Sequence, residues 1–524
     1  MRCPWGSSPR LAGWAVIVVV ACLHGASVFA RAADLPPVDD PTAAMDVPWT
    51  AKLPWRQVVD VTAMDGRDWA EKLEKAQAKV QEAGGGVVYF PPGLYRFDEH
   101  VLIKNGVVLR GADPDRDKDA RRNGYALQTR FEFPRYVPKL TGDGAPITSA
   151  FKGIRLADPG QGGGCGIVNI DVNRGHIHFG ESEDHGCAAG RLVFGCILRN
   201  AAVADPAVPN LKFQHQWQRF TARHHAAIDV AAAADLLVAN NRLPRSGDDN
   251  FSMDGYLVDA GRGKQEALDG VVFDYDNRPG MYVNHYCIGG AGGSGDDGTP
   301  QTHPWGFRRG IVIRNNYIYN TGRMAIGFAG DGVICSGNVI RFAKDVWRPT
   351  ATGVAKTHGS STNDNRAIEM RGWRWIVDGN DYEVHRNWAA DRKYLINDGE
   401  GLMHEDHCNS DIRDSRLTNN KGNAYLSIYK CGVIDGLTVE GNDIRVGGGA
   451  AIMVVSNRNS GSAPCRNVTI AGNVTAGGGI VIAGAPASGN AVENNRHVGA
   501  QGNALRNEAS ARLSGNQGYE LVKE

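Results

Sequence analysis

The stretch TVEGNDIRV (Thr438–Val446) combines a short apolar segment, a small or polar residue, an asparagine and a second apolar segment. The same phrase returns many times in the second half of the chain. Several of its asparagines are 21 or 22 residues apart, as are Asn316 and Asn338. The copies are VIRNNYIYN (312–320), VICSGNVIRF (333–342), IVDGNDYEV (376–384), VTIAGNVTA (468–476) and AVENNRHV (491–498), with LLVANNRLPRSG (236–247) before them and LSGNQGYEL (513–521) after them.

A period in the low twenties, with short strands and no helical periodicity, is typical of a solenoid. It predicts an all-β fold, a right-handed parallel β-helix, in which each asparagine lies at a bend and bonds to the asparagine of the next coil. A β-sandwich is the alternative, but it would give hairpin signals at a shorter spacing. The predicted ladder contains Asn241, Asn316, Asn338, Asn380, Asn442, Asn473, Asn495 and Asn516.

Composition and the N-terminal region limit the function classes. The 57 basic residues equal the 57 acidic ones, so nothing favours a nucleic-acid partner. Residues 1–32 combine arginines, an apolar run and small residues, which predicts a signal peptide. The alternatives are a membrane anchor and, less well supported, a lipoprotein modified at Cys22. We therefore expect a secreted or periplasmic protein with no membrane span.

The remainder of the chain is predicted to form one domain. Residues 33–55 are proline-rich and are interpreted as a linker, and residues 56–524 as one β-helix domain. Long insertions near 286–307 and 344–366 predict functional loops. A monomer is expected, because a helix and loops can cover the ends of a solenoid.

One helix precedes the repeats. Apolar residues recur at helical spacing from Trp69 to Ala83, with Asp65 or Asp68 as a cap and Gly84 as a stop. The segment DGRDWAEKLEKAQAKVQEAGGGVVYFPPGLYRF (65–97) resembles the N-terminal cap and first coils of the pectate-lyase-like superfamily. This resemblance implies a right-handed parallel β-helix with an N-terminal capping helix, and action on carbohydrate as a lyase, a hydrolase or an epimerase-like enzyme. SGDDN (246–250) can imitate one polygalacturonase motif, but the other motifs of that branch are missing.

A second phrase accompanies the asparagine bends, as in RAIEMRGW (366–373), EGLMHEDH (400–407) and AYLSIYKC (424–431). Alignment on the apolar residues puts Glu369 and Arg371 on the outer face of a strand, and Glu405 and Tyr429 on neighbouring coils. Because parallel strands lie about 4.8 Å apart, these four residues are expected to share one patch. A solvated ion-pair surface is the alternative.

The patch suits β-elimination from an acidic polysaccharide. Such a lyase needs a cation beside the sugar carboxylate and a base near the abstracted proton. Arg371 can neutralise the carboxylate, and Ca²⁺ held by carboxylates, Glu405 among them, can assist it. The predicted catalytic residues are Glu369, Arg371, His404, Glu405, Tyr429 and Lys430, the substrate-binding residues are Trp347, Trp373, Asp331 and His407, and the metal ligands are Asp398 and Glu400.

Two other functions stay open. Glu369 and Glu405 would have Cα atoms about 8 Å apart, which suits the carboxyl pair of an inverting glycoside hydrolase. Trp375 is a further candidate for stacking on sugar rings, beside Trp347 and Trp373. A non-catalytic β-helix that binds glycan is the third possibility, although the mixture of acids, bases and aromatic residues favours an enzyme.

Overall fold

The fold is described from a computed structural model of the chain. It describes residues 36–134, 139–140, 146–147, 152–158, 163–179, 189–199, 228–229, 234–243, 281–282, 310–319, 324–341, 366–383, 412–456 and 463–522. In this part of the chain there is one α-helix, α1 (Trp69–Glu82), and three 3-10 helices, η1 (Ala43–Met45), η2 (Thr50–Lys52) and η3 (Val61–Ala63).

The strands are short and follow one another along the whole described chain. The first are β1 (Val58–Asp60), β2 (Gly86–Phe90), β3 (Gly93–Arg96), β4 (Val101–Ile103), β5 (Val107–Gly111), β6 (Thr129–Glu132), β7 (Lys139–Leu140), β8 (Pro146–Ile147), β9 (Gly153–Leu156), β10 (Cys165–Val168), β11 (Asp171–Asn173), β12 (His176–His178), β13 (Ala189–Phe194) and β14 (Ile197–Arg199). The next are β15 (Ile228–Asp229), β16 (Ala234–Ala239), β17 (Arg242–Leu243), β18 (Met281–Tyr282), β19 (Ile311–Arg314), β20 (Tyr317–Tyr319), β21 (Met324–Asp331), β22 (Ile334–Ser336), β23 (Val339–Arg341), β24 (Arg366–Trp373), β25 (Ile376–Asp378), β26 (Asp381–Glu383), β27 (Ile412–Thr418) and β28 (Lys421–Gly422). The last are β29 (Leu426–Cys431), β30 (Ile434–Glu440), β31 (Asp443–Arg445), β32 (Ala450–Ser456), β33 (Cys465–Arg466), β34 (Thr469–Ala471), β35 (Val474–Ala476), β36 (Gly479–Ala483), β37 (Ala491–Glu493), β38 (Arg496–Val498), β39 (Ala504–Glu508), β40 (Arg512–Ser514) and β41 (Glu520–Val522).

Nearly all of the described strands belong to three walls of parallel strands. Sheet 1 has 15 strands in the order β1-β2-β5-β10-β13-β16-β19-β22-β25-β27-β30-β34-β37-β40, with β33 also paired to β30, and sheet 2 has 12 in the order β3-β6-β11-β14-β17-β20-β23-β26-β28-β31-β35-β38. Sheet 3 is described in two parts, β24-β21-β18-β15-β12-β9-β4 and β29-β32-β36-β39-β41. Within these sheets each strand pairs with the strand one coil further on, and such crossovers are right-handed. The strands β7 and β8 form a separate antiparallel pair. The predicted right-handed parallel β-helix is confirmed.

The helix α1 covers the N-terminal end of the core, as predicted. Asp68 accepts a hydrogen bond from the amide of Glu71 and caps the helix, which ends just before Gly84 at a φ of 88°. Its buried face includes Leu73 and Val80, which join the cluster that fills the coils. In the described part of the chain, no helix has both the length and the apolar character needed to cross a membrane.

At each asparagine bend two consecutive residues have different roles: the first adopts the left-handed backbone, and the second makes the ladder hydrogen bonds. The residue before the ladder asparagine has the positive φ, between 55° and 67°, and it is glycine or asparagine at every such bend. Glycine has no Cβ, and asparagine tolerates this conformation better than other side chains do. The left-handed backbone at the bends thus belongs to residues such as Asn419 and Gly441, and not to the ladder residues Asn420 and Asn442 that follow them.

The asparagine ladder runs through nine consecutive coils. Asn338 is typical: its Nδ2 donates to Asn380 Oδ1 at 2.9 Å and to the carbonyl of Ile313 at 3.2 Å, while its Oδ1 accepts from the amide and the Nδ2 of Asn316. Every hydrogen-bonding site of the buried amide is therefore used, as burial requires. All eight predicted asparagines belong to the ladder, and the ninth member is Asn420.

The segment predicted as a linker is instead packed against the β-helix from residue 36 onward. We call residues 36–57 the N-terminal strap. It covers the outer face of sheet 1, where Met45, Val47, Leu53 and Trp55 form a buried cluster with outward valines and leucines of the first coils. Burial of these apolar side chains against the sheet explains why a proline-rich segment without periodicity is ordered.

Polar contacts hold the N-terminal strap in register. The fully buried guanidinium of Arg110 donates to the carbonyl of Asp39 at 2.6 Å, and Arg314 donates to the carbonyl of Met45 at 3.0 Å. A Cβ atom on Gly164 would lie 2.3 Å from Cδ2 of Leu53, so this glycine provides the space in which the leucine packs.

We expect Leu53→Ala to lower the free energy of unfolding by about 2 kcal/mol, because the smaller side chain leaves a cavity between the N-terminal strap and sheet 1. Denaturant unfolding measures the effect, and limited proteolysis would show faster cleavage before residue 58. Lys52→Ala is the matched control, because the neighbouring Lys52 is exposed. Equal stability of the two variants would contradict the proposed packing.

The pairing of Cys165 gives the length of one early coil. Cys187 follows Cys165 by 22 residues, which is the spacing of several asparagine phrases. The residue paired with Cys165 on the next coil is Arg191, while Cys187 lies outside the described residues. The coil at this point is therefore 26 residues long, since Arg191 follows Cys165 by that number.

Candidate functional site

Sheet 3 has the register that the apolar phrases predict. Ile326 pairs with Ile368, and further along the solenoid Leu426 pairs with Ile452. All four side chains are fully buried in the core. Because side-chain positions alternate along a strand, the residues that follow them take register positions on the outer face.

A continuous column of outer-face positions crosses the first seven strands of sheet 3. We call it the Glu369 column, because Glu369 is its last member in the described part of the sheet. Several members are of types that can bind or transfer protons or carry charge. From the N-terminal coil onward the positions are Leu102, Arg155, His178, Asp229, Tyr282, Gly327 and Glu369.

Sequence reasoning missed the four members of this column from Arg155 to Tyr282. The coils of Arg155 and His178 lack the asparagine phrase, and the strands that contain Asp229 and Tyr282 are only two residues long, so none of the four was aligned with the later coils. A weaker signal is present in the sequence. In each case an apolar residue is followed directly by a polar or ionisable one, as in Ile154-Arg155, Ile177-His178, Ile228-Asp229 and Met281-Tyr282.

The structure gives backbone positions to four of the predicted catalytic residues. Glu369 and Arg371 belong to β24, while Tyr429 and Lys430 belong to β29. In sheet 1, β25 pairs with β27 and β27 with β30, so the coil of β24 and the coil of β29 are separated by one coil. Their strands in sheet 3 are then about 10 Å apart.

The other predicted residues divide into two groups. Asp331 and Trp373 are paired positions at the ends of β21 and β24. The positions that lie outside the described residues are Trp347, Asp398, Glu400, His404, Glu405 and His407, together with the loop predicted at 286–307 and nearly all of the one at 344–366.

The two tryptophans after Glu369 have different environments. Trp373 is half-buried, and the guanidinium carbon of Arg413 lies 4.9 Å from the centroid of its ring. Trp375 is fully buried in the core of the solenoid. The expectation that Trp375 can stack on sugar rings is therefore wrong, because the sharp bend at Arg374 (φ 52°) turns the chain inward before it.

Basic groups converge at the N-terminal end of the Glu369 column. Burial lowers the pKa of His100, and the positive charges of Arg155 and Lys152 lower it further. Burial also lowers the pKa of the Arg155 guanidinium. Glu99, which pairs with Lys152, is the carboxylate of this cluster. The cluster therefore favours an anion over a further cation.

The lowered pKa of His100 predicts a pH dependence of stability. The unfolded chain takes up a proton near pH 6.5, while folded His100 does so only at lower pH. Stability is then lost as the pH falls through the unfolded value and stops falling below the folded one. We expect the decrease in Tm between pH 7 and pH 5 to be smaller for His100→Gln than for the wild type. An equal decrease in both proteins would refute this assignment.

The ligands of the predicted calcium site, Asp398, Glu400 and Glu405, lie outside the described residues. Within the described ranges, no group of three or more His, Cys, Asp or Glu side chains is arranged to hold a metal ion. Calcium therefore stays a prediction from the sequence.

Comparison with solved structures finds distant similarities. The A-module of the Azotobacter vinelandii mannuronan C-5 epimerase AlgE6 is 12% identical, with 89% of this chain and 99% of that chain covered and a TM-score of 0.36. The Streptococcus pneumoniae surface adhesin PfbA is 13% identical over 88% and 90%, with a TM-score of 0.41. The catalytic unit of the Streptomyces thermodiastaticus GH87 α-1,3-glucanase is 14% identical over 89% and 70%, also with a TM-score of 0.41.

At such distances these similarities assign no reaction. No protein-family model matches the chain, and no curated protein matches it. The pairing of its own strands identifies the architecture, and on that basis the chain is a right-handed parallel β-helix protein.

Proposed function

We propose that this protein is an exported carbohydrate-active enzyme that cleaves an acidic polysaccharide by β-elimination. The observation that supports the proposal best is the Glu369 column. It brings Arg155, His178, Asp229 and Tyr282 to successive register positions on one face of sheet 3, and Glu369 follows after Gly327. A polymer lying along the solenoid axis would meet each of these positions in turn.

The length of the column supports a polymeric substrate. From Leu102 to Glu369 the column crosses six strand spacings, which is about 29 Å at about 4.8 Å each. A face of this length can contact several consecutive sugars. Binding energy from the distant sugars can then help to position the reacting one.

The chemistry requires a cationic group and a base. Arg371 would neutralise the carboxylate of the sugar whose proton is abstracted, which stabilises the enolate-like charge. Tyr429, Lys430, His404 or His407 would take the proton, and Glu369 and Glu405 would orient the pair. The glycosidic oxygen then leaves with the bonding electron pair as the new carbon–carbon double bond forms, and it takes up a proton from the protonated base or from water. One cleavage therefore gives one unsaturated end and one reducing end.

The walls of the site would come from residues beside sheet 3. Trp347 and Trp373 are proposed to contact sugar rings, and Asp331 and His407 to donate or accept hydrogen bonds at the rim. If Ca²⁺ takes part, Asp398, Glu400 and Glu405 would hold it. The predicted signal peptide of residues 1–32 would bring a monomeric enzyme to its polymer outside the cytoplasm.

Two parallel assays on a panel of polysaccharides test the proposal. Absorbance at 235 nm detects the unsaturated product, and a reducing-end assay detects any cleavage. We expect signals in both assays on at least one polyuronate. A signal only in the reducing-end assay would replace the lyase with an inverting hydrolase that uses Glu369 and Glu405. Silence in both, with retained binding, would favour a glycan-binding protein.

A further inference from the structure

We propose that Arg155, with Lys152 and Leu102, forms a subsite that binds the carboxylate of a uronic acid residue at the N-terminal end of the Glu369 column. The inference rests on the proposed function for the nature of the polymer. Arg155 and Glu369 are five strand spacings apart, which is about 24 Å at about 4.8 Å each. The subsite therefore recognises a sugar far from the proposed chemistry, and its binding can be tested without turnover.

The pairing of β4 with β9 places the members of the subsite on one face. Leu102 is the Cα partner of Arg155, and the adjacent Ile103 and Ile154 are buried in the core. Because side chains alternate along a strand, Leu102 and Arg155 take outer positions. Gly153 takes the preceding outer position of β9, and it adds no side chain that could cover the guanidinium of Arg155.

Arg155 differs from arginines of the neighbouring coils in its lack of a carboxylate partner. Arg110 pairs with Asp113, and Arg130 pairs with Asp171. Among the residues that the structure describes, none accepts a hydrogen bond from Arg155 Nε and none forms an ion pair with this guanidinium. Burial lowers its pKa, so an anion at its terminal nitrogens would offset the cost of that burial.

The electrostatic potential around the subsite is positive. Burial lowers the pKa of His100, and the charges of Arg155 and Lys152 lower it by more than the charge of Glu99 raises it. Glu99 is moreover engaged by Lys152, and this contact lowers the pKa of the carboxyl group. Within the described ranges the charge of Arg155 is thus the one that lacks a counterion here, and it would attract an anionic ligand.

A cation beside an exposed apolar side chain fits a sugar acid. Leu102 is 48% exposed although it lies in a strand of the first coil. The apolar face of a sugar ring can pack on Leu102 while the carboxylate of the same sugar contacts the planar donors of Arg155. A small inorganic anion would use the arginine alone. The pair therefore favours a uronic acid residue of a polymer.

Calorimetric binding of three probes tests the subsite. The probes are a long oligouronate from the polymer panel, the same oligosaccharide with its carboxylates reduced to alcohols, and inorganic sulfate. We expect Arg155→Gln to weaken binding of the oligouronate about 10-fold, because one charge-assisted contact is lost. Binding of the reduced oligosaccharide should be unchanged in this variant, whereas Leu102→Ser should weaken binding of both sugars.

Arg96→Gln is the matched control, because Arg96 is an exposed arginine of β3 in sheet 2, where it lies 3.9 Å from Glu132. It should bind every probe as the wild type does. Wild-type affinity of Arg155→Gln for the oligouronate, or an equal loss for both sugars, would overturn the subsite. Sulfate binding as tight as that of the oligouronate, and lost in Arg155→Gln, would replace the sugar subsite with a site for a free anion.

Histidine NMR provides a second measurement, in which His100→Gln identifies the signal of His100. A carboxylate bound to Arg155 should raise the pKa of His100, because it neutralises a charge that lowers this pKa. An unchanged pKa in the saturated complex would contradict binding at Arg155. A charge-dependent loss of affinity in Arg155→Gln without any turnover by the wild type would support the subsite and refute the lyase.

Discussion

Replacement of Asn420 by alanine is expected to lower the free energy of unfolding by about 4 kcal/mol, because the amide and the Nδ2 of Asn380 lose their buried acceptor. Those two groups now donate to Asn420 Oδ1 at 3.1 and 3.0 Å. The Nδ2 of Asn420 in turn donates to Asn442 Oδ1 and to the carbonyl of Val377. Denaturant unfolding followed by circular dichroism measures the loss.

The neighbouring asparagine provides the control. Asn419 has a φ of 55°, and its side chain makes one exposed hydrogen bond, to Asp378. Asn419→Gly should change the free energy of unfolding by no more than about 1 kcal/mol, since glycine accepts this backbone conformation. Similar losses from the two substitutions would mean that the bend, and not the ladder, stabilises the coil.

Substitution of Arg371 by glutamine is expected to lower kcat on the polyuronate substrate about 100- to 1000-fold. That is the usual effect of removing one group that stabilises developing negative charge. Glutamine is unbranched and polar but uncharged, so the Tm should stay near that of the wild type. The assay at 235 nm gives kcat and KM separately, and the loss should be mainly in kcat.

Arg445→Gln is the control for this loss of turnover. Arg445 is an exposed arginine of β31 in sheet 2, where it pairs with Asp443. Its replacement should leave turnover unchanged. Unchanged turnover of the Arg371 variant would remove Arg371 from the proposed chemistry, and equal losses in both variants would point to a general effect of surface charge.

The fold was predictable because one coil repeats in the sequence. Each coil must satisfy a buried asparagine, so the phrase around it is restricted. The repeated phrase did not reveal Asn420, because the residue two positions after it is Gly422, whereas most other copies have an apolar residue there. A Cβ on Gly422 would lie 2.4 Å from the ring of Tyr382, so the larger side chain of the preceding coil fills that space. A sequence phrase describes one coil, so it does not show which residues of the neighbouring coil pack against it.

The N-terminal strap and the first half of the Glu369 column were not predictable in the same way. In the strap, Met45, Leu53 and Trp55 have no helical or strand periodicity, so nothing in the sequence indicates burial. On the coil before that of Asn241, Cys196 occupies the ladder position, and its backbone amide donates to Asn241 Oδ1. A coil that bonds to the ladder through its backbone amide alone needs no asparagine side chain. The sequence repeat therefore becomes weaker toward the N-terminus.

The register near Glu369 was predictable because alternation in a strand has a period of two. Once Ile368 is assigned to the core, Glu369 and Arg371 take outer positions. The relation between β24 and β29 needed the pairing of sheet 1, which counts the coils between them. Sequence spacing alone cannot count coils whose lengths vary with their loops.

The most direct test of the central claim is a crystal structure of the Arg371→Gln variant with a bound oligouronate. We expect the sugars to lie along the outer face of sheet 3, in contact with Glu369, Tyr429 and the side chains of the Glu369 column. An oligosaccharide bound to sheet 1 or sheet 2, or Glu369 and residue 371 directed into the core, would contradict the account.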